Sequence, residues 1–180
     1  MNNIRNITVL ISFFSFIGCT SYPPIKSEEY VDIDRFMGDW YVIANIPTFI
    51  EKGAHNAIES YENNNDGTIA TTFTFNADGF DGDIKAYHPK GFVTDKKSNA
   101  IWEMQFIWPF KADYRILYVD KNYQHTIIAR IQRDYVWIMS RTPVIGTEEY
   151  KNLIRIIKDS NYDISKIKLV PQQSLKERKK

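Results

Sequence analysis

The chain has 180 residues, with 23 lysines and arginines against 22 aspartates and glutamates, so its net charge is +1. This length predicts one domain, and the balanced charge argues against nucleic acid as a partner. Aromatic residues make up 14% of the chain, which indicates either a thick core or a lined cavity.

The first feature along the chain is the position of its one cysteine. An apolar run at residues 7–17 is followed by Gly18 and then Cys19, and Arg5 precedes that run. A bilayer-spanning helix needs about 20 apolar residues, whereas a signal-peptide core needs only about 7 to 15. The run therefore predicts a signal peptide. A short buried helix and an ordinary signal peptide with an incidental cysteine are the alternatives.

The residues around Cys19 resemble a bacterial lipobox, although Phe16 stands where leucine is usual. The resemblance implies that residues 1–18 are removed and that Cys19 carries the lipid anchor. Thr20 follows it where aspartate would indicate the inner membrane, so an outer-membrane location facing the periplasm is expected. Two or more acyl chains would make such an anchor stable.

The segments at either end of the globular region are predicted to lack regular secondary structure. Residues 19–30 contain Pro23 and Pro24 and no apolar periodicity, so they are predicted to form an extended tether. Residues 172–180 are predicted to be a charged, flexible tail.

Eight short β-like runs, with no helix between them, fill most of the remaining chain. Apolar and polar residues alternate most clearly at Trp102, Met104 and Phe106, which flank Glu103 and Gln105. That period of two is typical of a strand with one buried face. The series predicts an antiparallel up-and-down barrel, since closure removes exposed edges.

One helix is predicted after the strands, with Thr147 as its N-cap and Asn161 near its C-terminal end. Its apolar residues fall at i, i+3, i+4 and i+7, which gives a single stripe: Tyr150, Leu153, Ile154 and Ile157. We expect this stripe to pack on the outside of the barrel.

Three motifs follow one another along the chain: a glycine-any-tryptophan motif at Gly38 and Trp40, a turn motif at Asp120, and a third motif that ends at Arg141. Their order and spacing resemble those of the lipocalin family, and of its bacterial lipoprotein branch in particular. The resemblance covers residues 31–171 and implies an eight-stranded barrel with one C-terminal helix. It gives these residues structural roles, with Arg141 lying over the Trp40 indole in a cation–π contact.

A lipocalin barrel implies a ligand cavity, and we assign large side chains to its wall. Single residues of this kind often only fill a core. The candidates are Phe49, Phe73, Phe75, Tyr87, Trp102, Met104 and Phe106.

The pattern of the seventh predicted run does not decide which of its two faces points into the barrel. One face carries Tyr114 and the other carries Arg115 and Leu117. All three are candidate ligand contacts: related lipocalins often direct the residue corresponding to Arg115 into the pocket, where it would pair with a phosphate or carboxylate. An outward, solvated arginine is the alternative. Glu59 falls where relatives carry a small residue, which leaves the register of its strand open.

No catalytic motif and no metal-ligand spacing stand out, so we expect neither enzymatic activity nor a cofactor. The sequence predicts a membrane-anchored protein that binds a fatty acid or lysophospholipid, with a homodimer as one option. The alternatives are a packed barrel with a structural or protein-binding role, and a lipid-modifying enzyme.

Overall fold

The computed structural model describes residues 22–174 and 176–178. Cys19 and the predicted signal peptide lie outside them. The helices are α1 (Ile33–Phe36) and α2 (Thr147–Asp159), and a 3-10 turn spans Ile164–Lys166. The strands are β1 (Gly38–Ile46), β2 (Ala54–Asn63), β3 (Ile69–Ala77), β4 (Ile84–Tyr87), β5 (Lys90–Val93), β6 (Ile101–Ile107), β7 (Phe110–Val119), β8 (His125–Ala129), β9 (Val136–Ser140) and β10 (Lys168–Leu169).

The strands form one antiparallel sheet that closes into a barrel where β9 pairs with β1. β4 and β5 pair in succession with β3, so together they make one barrel strand interrupted at His88 and Pro89. Proline cannot donate to a strand ladder, which explains the break. The predicted eight-stranded antiparallel barrel is therefore confirmed. β10 adds a short edge beside β1.

Helix α2 packs outside the barrel through its apolar stripe. Leu153 and Ile157 are fully buried in an outer core that also contains Leu117 from β7. Thr147 is the first residue of the helix and not its cap, because Gly146 occupies the N-cap position without a side-chain hydrogen bond. Asn161 has a φ of 64°, the left-handed conformation expected after a helix.

The two ends of the barrel differ. At one end α1 packs beneath the strands, and aromatic rings fill the interior: Phe36, Trp40, Tyr61 and Trp102, with centroids 5.1–5.8 Å apart along their contacts. We call this the closed end. The other end, the mouth, is framed by the loop at residues 47–53, the turn at 78–83, the β6–β7 hairpin and the β8–β9 connection at 130–135.

Strand alternation decides which side chains of β7 face inward. Tyr114 and Ile116 belong to the interior core, and Leu117 belongs to the outer core on the opposite face. Arg115 lies on the outer face beside Asp113, with its Nε 2.9 Å from a carboxylate oxygen. Strand alternation therefore excludes the predicted placement of Arg115 and Leu117 in the cavity.

Residues 22–30, the described part of the predicted tether, are held against the barrel. Ile25 is buried in the outer core, and the Glu28 carboxylate accepts a hydrogen bond of 3.0 Å from Val119 N–H. Part of the predicted tail is ordered as well, since Gln172 Nε2 donates to two backbone carbonyls and Arg178 lies over the Tyr41 ring. Both ends of the described chain thus contribute to the packed structure.

Candidate functional site

A cavity of about 500 Å³ occupies the upper half of the barrel and opens at the mouth. Its volume falls within the range of about 300 to 1,000 Å³ that small-molecule sites commonly have. Its wall is largely apolar. The lining side chains include Ile50, Phe73, Tyr87, Pro89, Met104, Phe106, Ile107, Ala112, Tyr135 and Trp137.

Several of the predicted ligand contacts meet in this cavity, because they lie on the inner faces of neighbouring strands or on the loop above them. They are Phe49, Phe73, Tyr87, Met104, Phe106 and Tyr114. Phe75 lies behind this surface, with its ring stacked on Tyr87 at 6.2 Å.

Trp102 does not line the cavity. Its side chain is fully buried, its Nε1 donates to Asn99 O at 2.7 Å, and its ring stacks on Tyr114 at 5.6 Å. The alternation in β6 correctly places Trp102, Met104 and Phe106 on one face. It does not give their depth, and Trp102 lies in the closed end, below the cavity.

Arg115 and Leu117 are likewise absent from the cavity wall, for the reason that the β7 geometry gives. The Arg115 guanidinium pairs with Asp113, whose second oxygen also accepts from Ile131 N–H at 2.7 Å. This arrangement connects β7 to the β8–β9 connection. It keeps the Arg115 guanidinium in an ion pair outside the cavity, where it cannot contact a ligand.

Glu59 places a carboxyl group on the cavity wall, near its floor. Only 9% of its surface is exposed, and the side chain is hydrogen-bonded to Tyr61. Burial, followed by the negative charge of Glu51, raises the pKa of Glu59 to about 8. A carboxyl group with that pKa is mostly neutral at pH 7, so it has an O–H that can donate in addition to the oxygen that accepts from Tyr61.

Two tyrosine hydroxyls extend the polar network that begins at Glu59. The hydroxyls of Tyr61 and Tyr114 are hydrogen-bonded to each other. Burial, with the nearby Glu59 carboxyl as a further cause, raises the pKa of both tyrosines well above the usual value. Glu59, Tyr61 and Tyr114 therefore form a neutral hydrogen-bonded network at pH 7, which suits a buried position.

Glu51 holds the loop at residues 47–53 against the cavity wall. Its two carboxylate oxygens accept hydrogen bonds from Trp137 Nε1 at 2.6 Å and from Thr48 N–H at 2.8 Å. The side chain is 6% exposed. Because a carboxylate can accept at both oxygens, this pair of donors fixes the loop and supplies negative charge near the mouth.

Arg130 provides the positive charge that lines the cavity. Its guanidinium pairs with Asp134 at 3.2 Å and lies 5.4 Å from the Tyr135 ring. Its Nε and the hydroxyl of Thr48 are buried polar atoms without a hydrogen-bond partner among the described residues. Buried polar atoms usually have partners, so these two are candidate contacts for a polar group of a ligand.

Sequence reasoning missed most of the polar residues of the site. Glu51 and Thr48 lie in a loop, and Arg130 follows a strand, so no periodicity marks them. Glu59 was detectable, because it shares the inward face of its strand with Ala57 and Tyr61. The sequence leaves the register of its strand open, because relatives carry a small residue at this position.

The motif residues seal the closed end. The Arg141 guanidinium lies 3.7 Å from the Trp40 ring, and its donors reach carbonyls of Asp39, Arg35, Phe36 and Met37 at 2.8–3.1 Å. Asp120 accepts from Asn122 and Gln124 N–H, which shapes the turn after β7. Gly38 has a φ of 90°, a conformation that favours glycine.

Within residues 22–174 and 176–178, no cluster of three acidic, histidine or cysteine side chains is arranged to hold a metal ion. In the same part of the chain, no helix has the length and apolarity needed to cross a bilayer.

Comparison with known proteins gives consistent matches. A family model described as a lipocalin-like domain matches residues 31–172. The temperature-induced lipocalin-1 of Arabidopsis thaliana is 35% identical over 151 residues, which are 79% of this chain and 80% of the plant protein. The outer membrane lipoprotein Blc of Escherichia coli K12 is 28% identical over 163 residues, 88% of this chain and 91% of that one.

Among solved structures, insecticyanin of the tobacco hornworm Manduca sexta superposes with a TM-score of 0.69 at 15% identity. The match covers 88% of this chain and 89% of that one. At this identity the likeness concerns the fold.

Proposed function

Since this chain belongs to the lipocalin family, we propose that it is a lipid-binding protein that holds or transfers one single-chain lipid at the outer membrane. The observation that carries the proposal is the apolar cavity of about 500 Å³ open at the mouth. The names of the Blc relatives support the outer membrane as its location. Cys19 would supply the anchor, on the periplasmic side.

The volume of the cavity favours one acyl chain over two. A methylene group takes roughly the volume of a water molecule in the liquid, about 30 Å³. On that scale 500 Å³ holds about one sixteen-carbon chain. Each methylene that leaves water contributes about 0.8 kcal/mol, but a bilayer offers nearly the same gain. Single-chain lipids leave a bilayer more easily than two-chain lipids and are therefore the expected ligands.

The charges on the cavity wall favour some single-chain lipids over others. Among the carboxyl groups that line the cavity, Glu59 is mostly neutral at pH 7 and Asp113 is already in an ion pair, which leaves the carboxylate of Glu51. The lining guanidinium of Arg130 is likewise paired, with Asp134. A fatty-acid carboxylate therefore meets the negative charge of Glu51, whereas a zwitterionic lysophospholipid brings an ammonium group as well as a phosphate. We therefore expect lysophospholipids to bind more tightly than fatty acids at neutral pH.

The test is a titration of the chain from Ser21 onward, which keeps every described residue of the two cores and of the N-terminal segment. Lysophosphatidylcholine is added below its micellar concentration while tryptophan fluorescence is followed. Trp137 lines the cavity and is the expected reporter. Saturation near one lipid per barrel supports the proposal.

Matched variants locate the bound lipid. Ala112→Leu adds volume inside the cavity, and Ala86→Leu adds the same volume on an exposed face of β4. Overpacking costs about 1–3 kcal/mol, so the first variant should weaken binding roughly ten- to a hundredfold and the second should not. An unsaturable response together with a lipid-free mass spectrum of the native protein would instead favour the structural, protein-binding role. A chemically altered lipid would favour an enzyme.

A further inference from the structure

The mouth of the barrel carries an exposed apolar surface that the cavity does not explain. We call it the rim patch and define it as Phe49, Phe106, Ile107, Trp108 and Phe110, which are 51–82% exposed. Large apolar side chains scattered singly over a surface are normal, but a contiguous set marks an interaction site. Four of these five residues belong to a single hairpin, β6–β7.

The rim patch is continuous with the cavity. Phe49, Phe106 and Ile107 line the cavity as well as the surface around its opening. The hairpin and the loop that carries Phe49 come from different pairs of strands, so the patch borders the opening from two sides. Whatever covers the rim patch therefore also covers the route by which a lipid enters.

The course of the N-terminal segment shows what lies next to the mouth. Arg133, in the β8–β9 connection, donates from Nη1 to Pro23 O at 3.0 Å and from Nη2 to Pro24 O at 3.1 Å. From there the segment runs down the wall to the closed end, where Val31 N–H donates to Ser98 O at 2.7 Å. The described chain therefore begins at the mouth.

Cys19 precedes Pro23 by four residues. Four residues span at most roughly 14 Å when fully extended. An acyl anchor on Cys19 would thus hold the mouth, and not the closed end, within that distance of the bilayer surface.

We propose that the rim patch inserts into the surface of a phospholipid bilayer, so that the cavity opens onto the leaflet. The inference rests on the proposed function, since the anchor at Cys19 would bring the mouth to the membrane. Binding of the rim patch to a bilayer is nevertheless testable without that anchor. Tryptophan and phenylalanine are favoured at membrane interfaces. The nearby Lys111 is already paired with Glu103 at 3.1 Å and lies over the Phe92 ring. Apolar contact therefore dominates, and a zwitterionic bilayer suffices.

The experiment measures binding of the chain from Ser21 onward to phosphatidylcholine vesicles by co-sedimentation. Trp108→Ser/Phe110→Ser removes two exposed rings from the rim patch. The control, Tyr30→Ser/Val144→Ser, removes two exposed apolar side chains outside the patch, which are 63% and 67% exposed. We expect the patch variant to lower the partition coefficient roughly tenfold or more, and the control to leave it unchanged.

A second readout places the hairpin within the bilayer. Vesicles with brominated acyl chains should quench the fluorescence of the wild-type protein, and Trp108→Phe should lose that part of the quenching while keeping vesicle binding. The lysophosphatidylcholine titration is repeated on every variant. If the wild-type protein binds lysophosphatidylcholine but not vesicles, membrane docking is overturned and the proposed carrier function stands. If the folded patch variant loses both kinds of binding, the rim patch takes part in both, which supports a cavity that opens onto the leaflet.

Other occupants predict other results. If a second copy of the chain covers the rim patch, sedimentation velocity should show a dimer that Trp108→Ser/Phe110→Ser dissociates, and vesicles should not bind. That outcome would overturn membrane docking.

Discussion

Glu59 is the residue at which this chain differs most from a purely apolar lipid pocket. A carboxyl group that is buried and kept neutral at pH 7 acts as a hydrogen-bond donor in an environment where a carboxylate would be costly. This state follows from the fold, because burial and, after it, the negative charge of Glu51 raise the pKa of Glu59 by more than the Tyr61 hydrogen bond lowers it. Its protonation therefore links the stability of the protein to pH.

The sign of that link follows from the pKa of Glu59, which rises from 4.5 to about 8 on folding. The neutral form is favoured in the folded state, so the contribution of Glu59 to stability is complete below pH 4.5 and is lost as the pH rises towards 8. A shift of this size corresponds to a loss on the order of 5 kcal/mol. Glu59→Gln should remove this dependence.

Urea denaturation of both proteins between pH 5 and pH 9, followed by circular dichroism, checks this prediction. The difference between Glu59→Gln and wild type isolates this residue from the other carboxyl groups. The variant should gain stability relative to wild type as the pH rises. A constant difference across the range would show that Glu59 is charged in the folded state.

At the scale of elements, α2 supports the barrel wall from outside and takes no part in the cavity. Its buried side chains, Leu153 and Ile157, contact the outer core together with Leu117. Helix and cavity thus lie on opposite sides of the sheet, and stability is separable from binding.

Leu153→Ala should therefore lower the free energy of unfolding by about 2–5 kcal/mol, because it leaves a space in a fully buried position. Ile154→Ala, at a partly buried position on the same helix, should cost less. Urea denaturation measures the loss. The affinity for lysophosphatidylcholine, measured under folded conditions, should stay within twofold of wild type; a large drop would mean that α2 shapes the cavity.

The elements also show where sequence patterns stop being informative. The alternation of Trp102, Met104 and Phe106 and the helical stripe depend on local periodicity, and the structure has both. Strand β7 is buried on both faces, because Tyr114 and Ile116 belong to the interior core while Leu117 belongs to the outer core. Its sequence therefore has no purely polar face to mark the outside, and the inward set of Tyr114 and Ile116 could not be separated from Arg115 and Leu117.

For the whole molecule, the three motifs and eight runs were enough to identify the barrel, because each strand adds the same signal. The cavity depends on depth along the barrel and on loops, which are properties of the closed structure. Depth along the barrel is what places Trp102 in the closed end and not in the cavity. The loop fold is what brings Glu51 to the cavity wall, where it accepts a hydrogen bond from Trp137.

The summed charge of the cavity leads to a prediction about ligands. As the pH rises through about 8, Glu59 ionises and repels a fatty-acid carboxylate. At an effective dielectric constant of 20 and a separation of about 10 Å, this repulsion is worth somewhat more than 1 kcal/mol, or roughly tenfold in affinity. Palmitate should therefore bind more weakly at pH 9 than at pH 6.5.

Fluorescence titrations at the two pH values measure this change. Lysophosphatidylcholine, whose charge is constant over the range, is the matched ligand and should change little. Glu59→Gln should flatten the palmitate dependence. The same loss of palmitate affinity in wild type and variant would assign it to another group.

Arg133 holds the N-terminal segment beside the mouth. This position also affects how an empty barrel would meet a lipid. If the mouth is held against a leaflet as proposed, it would search in two dimensions and not in the surrounding volume. Its occupancy would then follow the mole fraction of single-chain lipid in that leaflet, whatever the total amount in the compartment. Such a protein would respond to membrane composition at its own site of attachment.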